Sequence, residues 1–284
     1  MYERFFPRGF IRLVSAVTLL LVGIGMMLFA FSHDAAPDVA PTETTVHRST
    51  TTAAMTVPTT TAPTTYQDPF ASFLLEHGLS IKEYPLTLLA LLLREPEAES
   101  FVQNYPLLKG QTTAIDLSAE AAADKIPLLL QWDSRWGYKI YGSDVMGLTG
   151  CGPTCLSMIA IGLLHDASLS PAAIADFAVE NNYCVPGNGT AWTLMDEGAA
   201  RLGLSAESVG PNEAGIAAKL NAGHPMIFLM YEGDFTTDAH FIVVTGYQNG
   251  VLTVNDPNSP TRSAKTWNYA DIESQIAACW AYSR

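Results

Sequence analysis

The stretch His240–Asp256, HFIVVTGYQNGVLTVND, decides the fold. β-Branched and aromatic residues fill two runs, Phe241–Tyr247 and Val251–Asn255, with Gln248, Asn249 and Gly250 between them, which is the composition of a β-hairpin. The turn has two readings. A two-residue Asn-Gly turn is a strong hairpin signal, and it puts Asp256 on the face opposite His240. A three-residue loop with Gly250 in the left-handed region instead pairs Tyr247 with Val251 and sets Asp256 against Ile242. Asp256 then lies diagonal to His240 on one face, within side-chain reach. Any partnership of His240 with Asp256 requires that loop or a bulge.

Working outward, Pro225–Tyr231 reads as a strand before the hairpin. A helix over Tyr269–Ala277 follows it, and Cys279–Tyr282 reads as an edge or closing strand. Upstream the pattern is helical apart from a short apolar strand, Ile126–Gln131. Pro153–Leu164 is a helix. Ser170 and Pro171 supply an N-cap and a first-turn proline for Ala172–Asn181. Thr190 caps a helix to about Leu202, and Pro211–Asn221 is another. Helices first and strands later make the domain, residues 125–284, an α+β fold with N-terminal helices packed on a C-terminal antiparallel sheet.

Four segments precede it. Residues 1–12 carry Arg4, Arg8 and Arg12; Leu13–Phe31 is an uncharged run of 19 residues. At ~1.5 Å per residue that run spans roughly 28 Å, the hydrocarbon thickness of a bilayer. The basic flank places the N-terminus in the cytoplasm and the remainder outside, so the expected location is a single-pass membrane protein with its domain outside the cell. A cleaved signal peptide is the rival reading. The run is longer than a signal core, and Phe29, Phe31 and His33 flank its end, which favours an uncleaved anchor. Residues 32–67, rich in Thr, Pro and Ala, read as a disordered linker. Residues 68–124 hold a helical prefix. Phe73, Leu74, Leu75 and Leu79 form one apolar stripe, Leu86–Leu93 a second run, and Phe101, Val102 and Tyr105 a third. Packing against the same chain is the expected role of these helices.

The 284 residues carry a net charge of −13, which disfavours a phosphate backbone as partner, so no nucleic acid is expected. The four cysteines, Cys151, Cys155, Cys184 and Cys279, are too few for a disulfide scaffold of this length. A structural pairing of Cys184 with Cys279 is one option.

Cys151 carries the chemistry. In Gly150-Cys151-Gly152-Pro153-Thr154-Cys155 it stands at the mouth of a predicted helix, between two glycines that permit close backbone approach. A helix N-terminus presents N–H groups and partial positive charge, which lower a thiol's pKa and can hold an oxyanion. Cys155, one turn further in, reads as packing. His240, at the start of its strand, is the candidate base, and Asp256 the group that fixes its tautomer and supports the imidazolium. Ordinary alternatives exist for each: a small buried cysteine, a strand-edge histidine, a turn aspartate before Pro257. His165 and His224 lie near helix ends and read as capping or surface residues. Trp132, Trp136, Tyr183 and Trp192 are candidates for a cleft or for the core. A metal site from Cys151, Cys155, Cys184 and His240 has poor ligand spacing, so no metal or cofactor is expected.

GCGPTCLSM, DAHFIVVTGY and VNDPNS, in that order and preceded by PLLLQWDSRWG, resemble the papain-like superfamily, above all the C39-like peptidases, relatives of the bacteriocin double-glycine leader peptidases. The resemblance covers Ile126–Ser283. It implies a papain-like fold with Cys151 as nucleophile, His240 as base and Asp256 as orienter. It also implies a glutamine in the oxyanion hole, for which Gln131, twenty residues before Cys151, is the candidate. No phosphate-binding G-x-x-x-x-G-K-[ST] motif is present and one apolar span cannot form a transporter, so leader-peptide processing is not carried over. The expected function is a cysteine peptidase or amide hydrolase acting by acyl transfer on a peptide or cell-wall peptide. The alternative is a catalytically silent module of the same fold that binds such fragments.

Overall fold

In the computed structural model, which describes residues 68–185, 187 and 189–284, the two-residue turn of the hairpin holds. Asn249 and Gly250 both adopt positive φ, 49° and 83°, and Gln248 pairs with Val251. The positive φ values suit the right-handed twist of the strands on either side. That register alone would send Asp256 to the face away from His240. A bulge corrects it: Val244 pairs with Val254 and Gly246 with Thr253, which leaves Thr245 as the extra residue. Val243 then faces Asn255, and Asp256 arrives opposite Ile242.

The longer helices, with one short one, are α1 (Pro69–His77), α2 (Leu86–Arg94), α3 (Glu99–Leu108), α4 (Cys151–Leu164), α5 (Pro171–Glu180), α6 (Glu197–Arg201) and α7 (Glu213–Asn221). Four more short helices are Ser118–Ala122, Met146–Thr149, Pro260–Ser263 and Tyr269–Ile272. The main sheet contains β1 (Ser205–Val209), β2 (Met226–Met230), β3 (His240–Gln248), β4 (Val251–Asn255), β5 (Thr266–Asn268) and β6 (Ile276–Ser283). Its strand order is β1-β6-β2-β3-β4-β5, antiparallel throughout. The α+β expectation therefore holds. The expected membrane span Leu13–Phe31 and the linker 32–67 lie outside the described residues. Among the described residues no helix is long and apolar enough to cross a membrane.

Both faces of the sheet are covered. Ile227, Leu229, Phe241, Val243, Trp280 and Tyr282 pack with α4 in one cluster. Phe228, Met230, Ile242, Val244, Leu252 and Val254 pack on the other face with Ile216 and Leu220 of α7. β2, buried at all five positions, accordingly shows no alternation in sequence. α4 is apolar around its whole circumference, and Gly152–Ile161 is buried without interruption, as a helix in the middle of a core must be. Ile159→Ala there should lower the unfolding free energy by about 2–5 kcal/mol, read from urea denaturation. A loss under 1 kcal/mol would show that α4 is not the centre of the core.

Several boundaries move. Ile126–Gln131 is no strand. Pro127 has no N–H to give a ladder, and the carbonyls of Ile126 and Pro127 accept from Asn255 Nδ2 at 3.3 and 3.0 Å. Thr190 caps no helix: its hydroxyl pairs with Tyr141 at 2.9 Å, and α6 is capped by Asp196, whose carboxylate accepts from the Glu197 N–H. The Tyr269–Ala277 helix ends at Ile272 and passes through a 3₁₀ turn into β6. Cys279–Tyr282 lies in β6, an interior strand; the edge beside it is β1. All four cysteines are free. Cys184 packs with the α4-side cluster and Cys279 with the other, so the sheet separates them.

The prefix carries most of its three apolar runs in α1, α2 and α3 and adds a short fourth helix, Ser118–Ala122, that no run predicts, and Leu75, Leu86 and Leu93 face solvent. Its inner side makes a third core: Tyr84, Leu88, Phe101, Val102 and Tyr105 pack with Tyr138 and Val145 of the following region.

Candidate active site

Cys151 opens α4 after a tight approach of backbone on both sides. A Cβ on Gly150 would stand 2.6 Å from the Met146 carbonyl oxygen, and one on Gly152 would stand 2.6 Å from Thr190 Oγ1. Both positions therefore exclude larger residues, which accounts for the Gly-Cys-Gly sequence. Pro153 falls in the first turn, where a missing N–H costs nothing.

The thiol is partly buried and lies against the His240 imidazole. Burial opposes its ionisation most strongly. The hydrogen bond and charge of His240, with the N–H groups of Phe241 and Gly152, outweigh that, so the pKa falls below the usual thiol value. His240 is buried at the start of β3, and its Nε2 donates to Asp256 Oδ1 at 2.8 Å, which leaves Nδ1 for the thiol. Burial pulls its pKa down; Asp256 and then Cys151 pull it up further, to about 9.

Asp256 is fully buried at the end of β4. Burial raises its carboxyl, and His240 followed by Arg262 more than offset this, so it stays below the usual carboxylate range. Its Oδ1 also accepts from the Asn258 N–H at 2.8 Å, and its Oδ2 from Arg262 Nε at 2.5 Å. Arg262 in turn donates from Nη1 to Glu95 of the prefix, 2% exposed. Neither Arg262 nor Glu95 is a residue the sequence singled out. A signal existed for the first, because Ser259-Pro260 is a helix start that brings Arg262 back over Asp256; Ser259 Oγ does accept from the Arg262 N–H at 3.2 Å. None existed for Glu95, which lies 167 positions away.

Gln131 is buried between the two halves of the site. Its backbone N–H donates to Pro257 O at 2.7 Å, beside Asp256, and its Nε2 donates to Gly147 O at 2.9 Å, in the turn that leads to Cys151. The second N–H of that amide is spare. The other candidates separate. Cys155 is buried with its pKa raised well above the usual value by burial. Trp136 and Tyr183 are core; Trp132 is half-buried and donates to Asn258 O at 3.0 Å. Trp192 is 48% exposed, stacked edge-on against buried Trp280. His165 ends α4 in the left-handed region, and His224 sits against the Tyr282 carbonyl. Among the described residues no group of three or more His, Cys, Asp or Glu is arranged to hold a metal ion.

A family model described as the Peptidase_C39 like family matches residues 123–284. Among solved structures the chain is similar to the peptidase domain of Streptococcus ComA, a bifunctional ABC transporter involved in a quorum-sensing pathway. The two are 22% identical over 48% of this chain and 93% of that one, with a TM-score of 0.37. It is also similar to a Bacillus anthracis protein described as a C39-like peptidase, 17% identical over 57% of this chain and 96% of that one, with a TM-score of 0.38. No curated protein matches.

Proposed function

The chain belongs to the Peptidase_C39 like family, and we propose that it is a cysteine peptidase that cleaves an amide in a peptide or cell-wall peptide by acyl transfer. One observation carries the reading: a thiol at a helix N-terminus meets a buried imidazole whose far nitrogen is held by a buried carboxylate. The Cys151 thiolate attacks the amide carbon, and the new oxyanion is held by Gln131 Nε2 and the Cys151 backbone N–H. His240 gives its proton to the departing amine, and a thioester forms. Water then attacks the thioester while His240 takes its proton; the acid leaves and the thiol is restored. Asp256 keeps the imidazole in one tautomer and balances its charge throughout. The Leu13–Phe31 run, with Arg4, Arg8 and Arg12 before it, supports a membrane anchor that holds this domain outside the cytoplasm.

The test is competition among the cysteines. Limiting iodoacetamide at pH 6, with the modified residue read by mass spectrometry, should label Cys151 and spare the others. Burial raises the pKa values of Cys155, Cys184 and Cys279, the last to about 12. Iodoacetate should show a preference over iodoacetamide while His240 is charged, and that preference should vanish as pH rises through about 9. Equal or absent labelling of the four would remove the nucleophile and leave a peptide-binding module as the reading.

A further inference from the structure

We propose that Glu95 and Arg262 are positioning residues, a relay from the helical prefix that holds the Asp256 carboxylate in the orientation the His240 ring needs. This rests on the acyl-transfer reading above, and it makes the prefix a working part of the site. The family match begins at residue 123, so Glu95 lies outside it and the device belongs to this chain's own prefix.

Geometry carries the argument. The two oxygens of Asp256 are divided between tasks: Oδ1 serves His240 and Asn258, and Oδ2 serves Arg262 alone. A carboxylate held only through Oδ1 can turn about its Cβ–Cγ bond and carry the imidazole with it. Arg262 prevents that turn only while its own plane is fixed. A guanidinium presents its donors in a rigid fork, and here Nε meets Asp256 while Nη1 meets Glu95, so the second carboxylate locks the plane of the first contact. All three groups are withdrawn from water: the side chains of Asp256, Glu95 and Arg262 are 0%, 2% and 13% exposed. Buried ion pairs contribute little net stability compared with apolar residues of the same shape, whereas they fix geometry where a site demands it. Two residues on, Glu97 grips the same loop, its carboxylate accepting from Ser259 Oγ at 3.2 Å and the Thr261 N–H at 3.3 Å.

Glu95 does not hold the prefix in place by itself. Tyr84, Leu88, Phe101, Val102 and Tyr105 anchor the prefix on Tyr138 and Val145, and the Phe101 ring fills the space over Gly147 that a Cβ would occupy. A change at Glu95 therefore tests orientation rather than docking.

The experiment compares full-length wild type, Glu95→Ala and Glu95→Gln by the rate of Cys151 alkylation at pH 6, with thermal melts alongside. A small displacement of a catalytic group is costly, so Glu95→Ala should alkylate about tenfold more slowly. Glu95→Gln keeps an oxygen for Nη1 and should recover most of the wild-type rate. A purely structural Glu95 would move the melting temperature and leave the rate alone. If Glu95→Ala fails to fold, Arg262→Lys replaces it: the charge stays, the fork is lost, and the same tenfold loss is expected. A wild-type rate in the folded alanine variant, or in Arg262→Lys, overturns the relay and leaves the acyl-transfer reading standing. Unselective labelling of the wild type overturns both.

Discussion

Replacing His240 with alanine is expected to slow alkylation of Cys151 at pH 6 by roughly 100-fold. Burial pushes the Cys151 thiol towards the neutral form, and the imidazole is the strongest influence against it. Without the ring, the N–H groups of Phe241 and Gly152 remain, and they are the weaker contributors. An ordinary thiol of pKa ~8.5 is ionised to only about 0.3% at pH 6. The few thiolates left are somewhat more nucleophilic than those of an acidic thiol, which recovers a small part of the loss. The measurement is a second-order rate constant with iodoacetamide, and circular dichroism shows whether the variant is folded. A rate within threefold of wild type would mean that the helix terminus alone activates the thiol. His240 would then not be its base, and the acyl-transfer reading would lose its proton carrier.

How far the sequence discloses the site depends on the range of each interaction. The hairpin is local, and its composition announces it, yet the face on which Asp256 falls depends on one extra residue, Thr245, whose local mark is the neighbouring Gly246 inside the strand. Turn chemistry favours the two-residue Asn-Gly turn, and the bulge reconciles it with the His240–Asp256 contact. α4 and α5 are legible from glycine, proline and serine at their starts, because capping is local physics. β1 is missed for a comparable reason: in Ser205–Val209 only Ala206 and Val209 are apolar, and the strand sits at the sheet's edge with most positions exposed. β6 reads as an edge because the helix before it is drawn too long, and only pairing with β1 and β2 shows it to be interior. Cys151, His240 and Asp256 are candidates by their chemistry at element ends, each beside an ordinary alternative, and their order along the chain together with the family resemblance selects them. Arg262 and Glu95 are charges like any others until the tertiary fold brings them together.

Asp256→Ala should cost about 3–5 kcal/mol of unfolding free energy, the penalty for breaking a buried ion pair by removing one partner. The variant leaves the His240 Nε2–H, the Asn258 N–H and the Arg262 Nε–H without their acceptor in a buried site, so three desolvated donors lose their bonds together. Arg262 keeps Glu95, which limits the loss but leaves its plane unfixed. The effect depends on pH with a definite sign. The folded carboxyl lies below its ordinary value, so its stabilisation is fully present above the unfolded carboxylate pKa of ~3.9 and is lost as pH falls through the lower folded value. Urea unfolding of wild type and variant across pH 6 to 3 should therefore show a stability gap that narrows below about pH 4. His240 leaves that acid limb unchanged, because its pKa is raised and its contribution is complete below the ordinary imidazole value of ~6.5. Cys151 alkylation in the same variant should fall as well, since the imidazolium that supports the thiolate loses its main counter-charge. A gap that widens as pH falls from 6 to about 4 would mean that Asp256 is protonated in the native protein. The Arg262 contact would then be an ordinary hydrogen bond, and His240 would have no carboxylate to hold it.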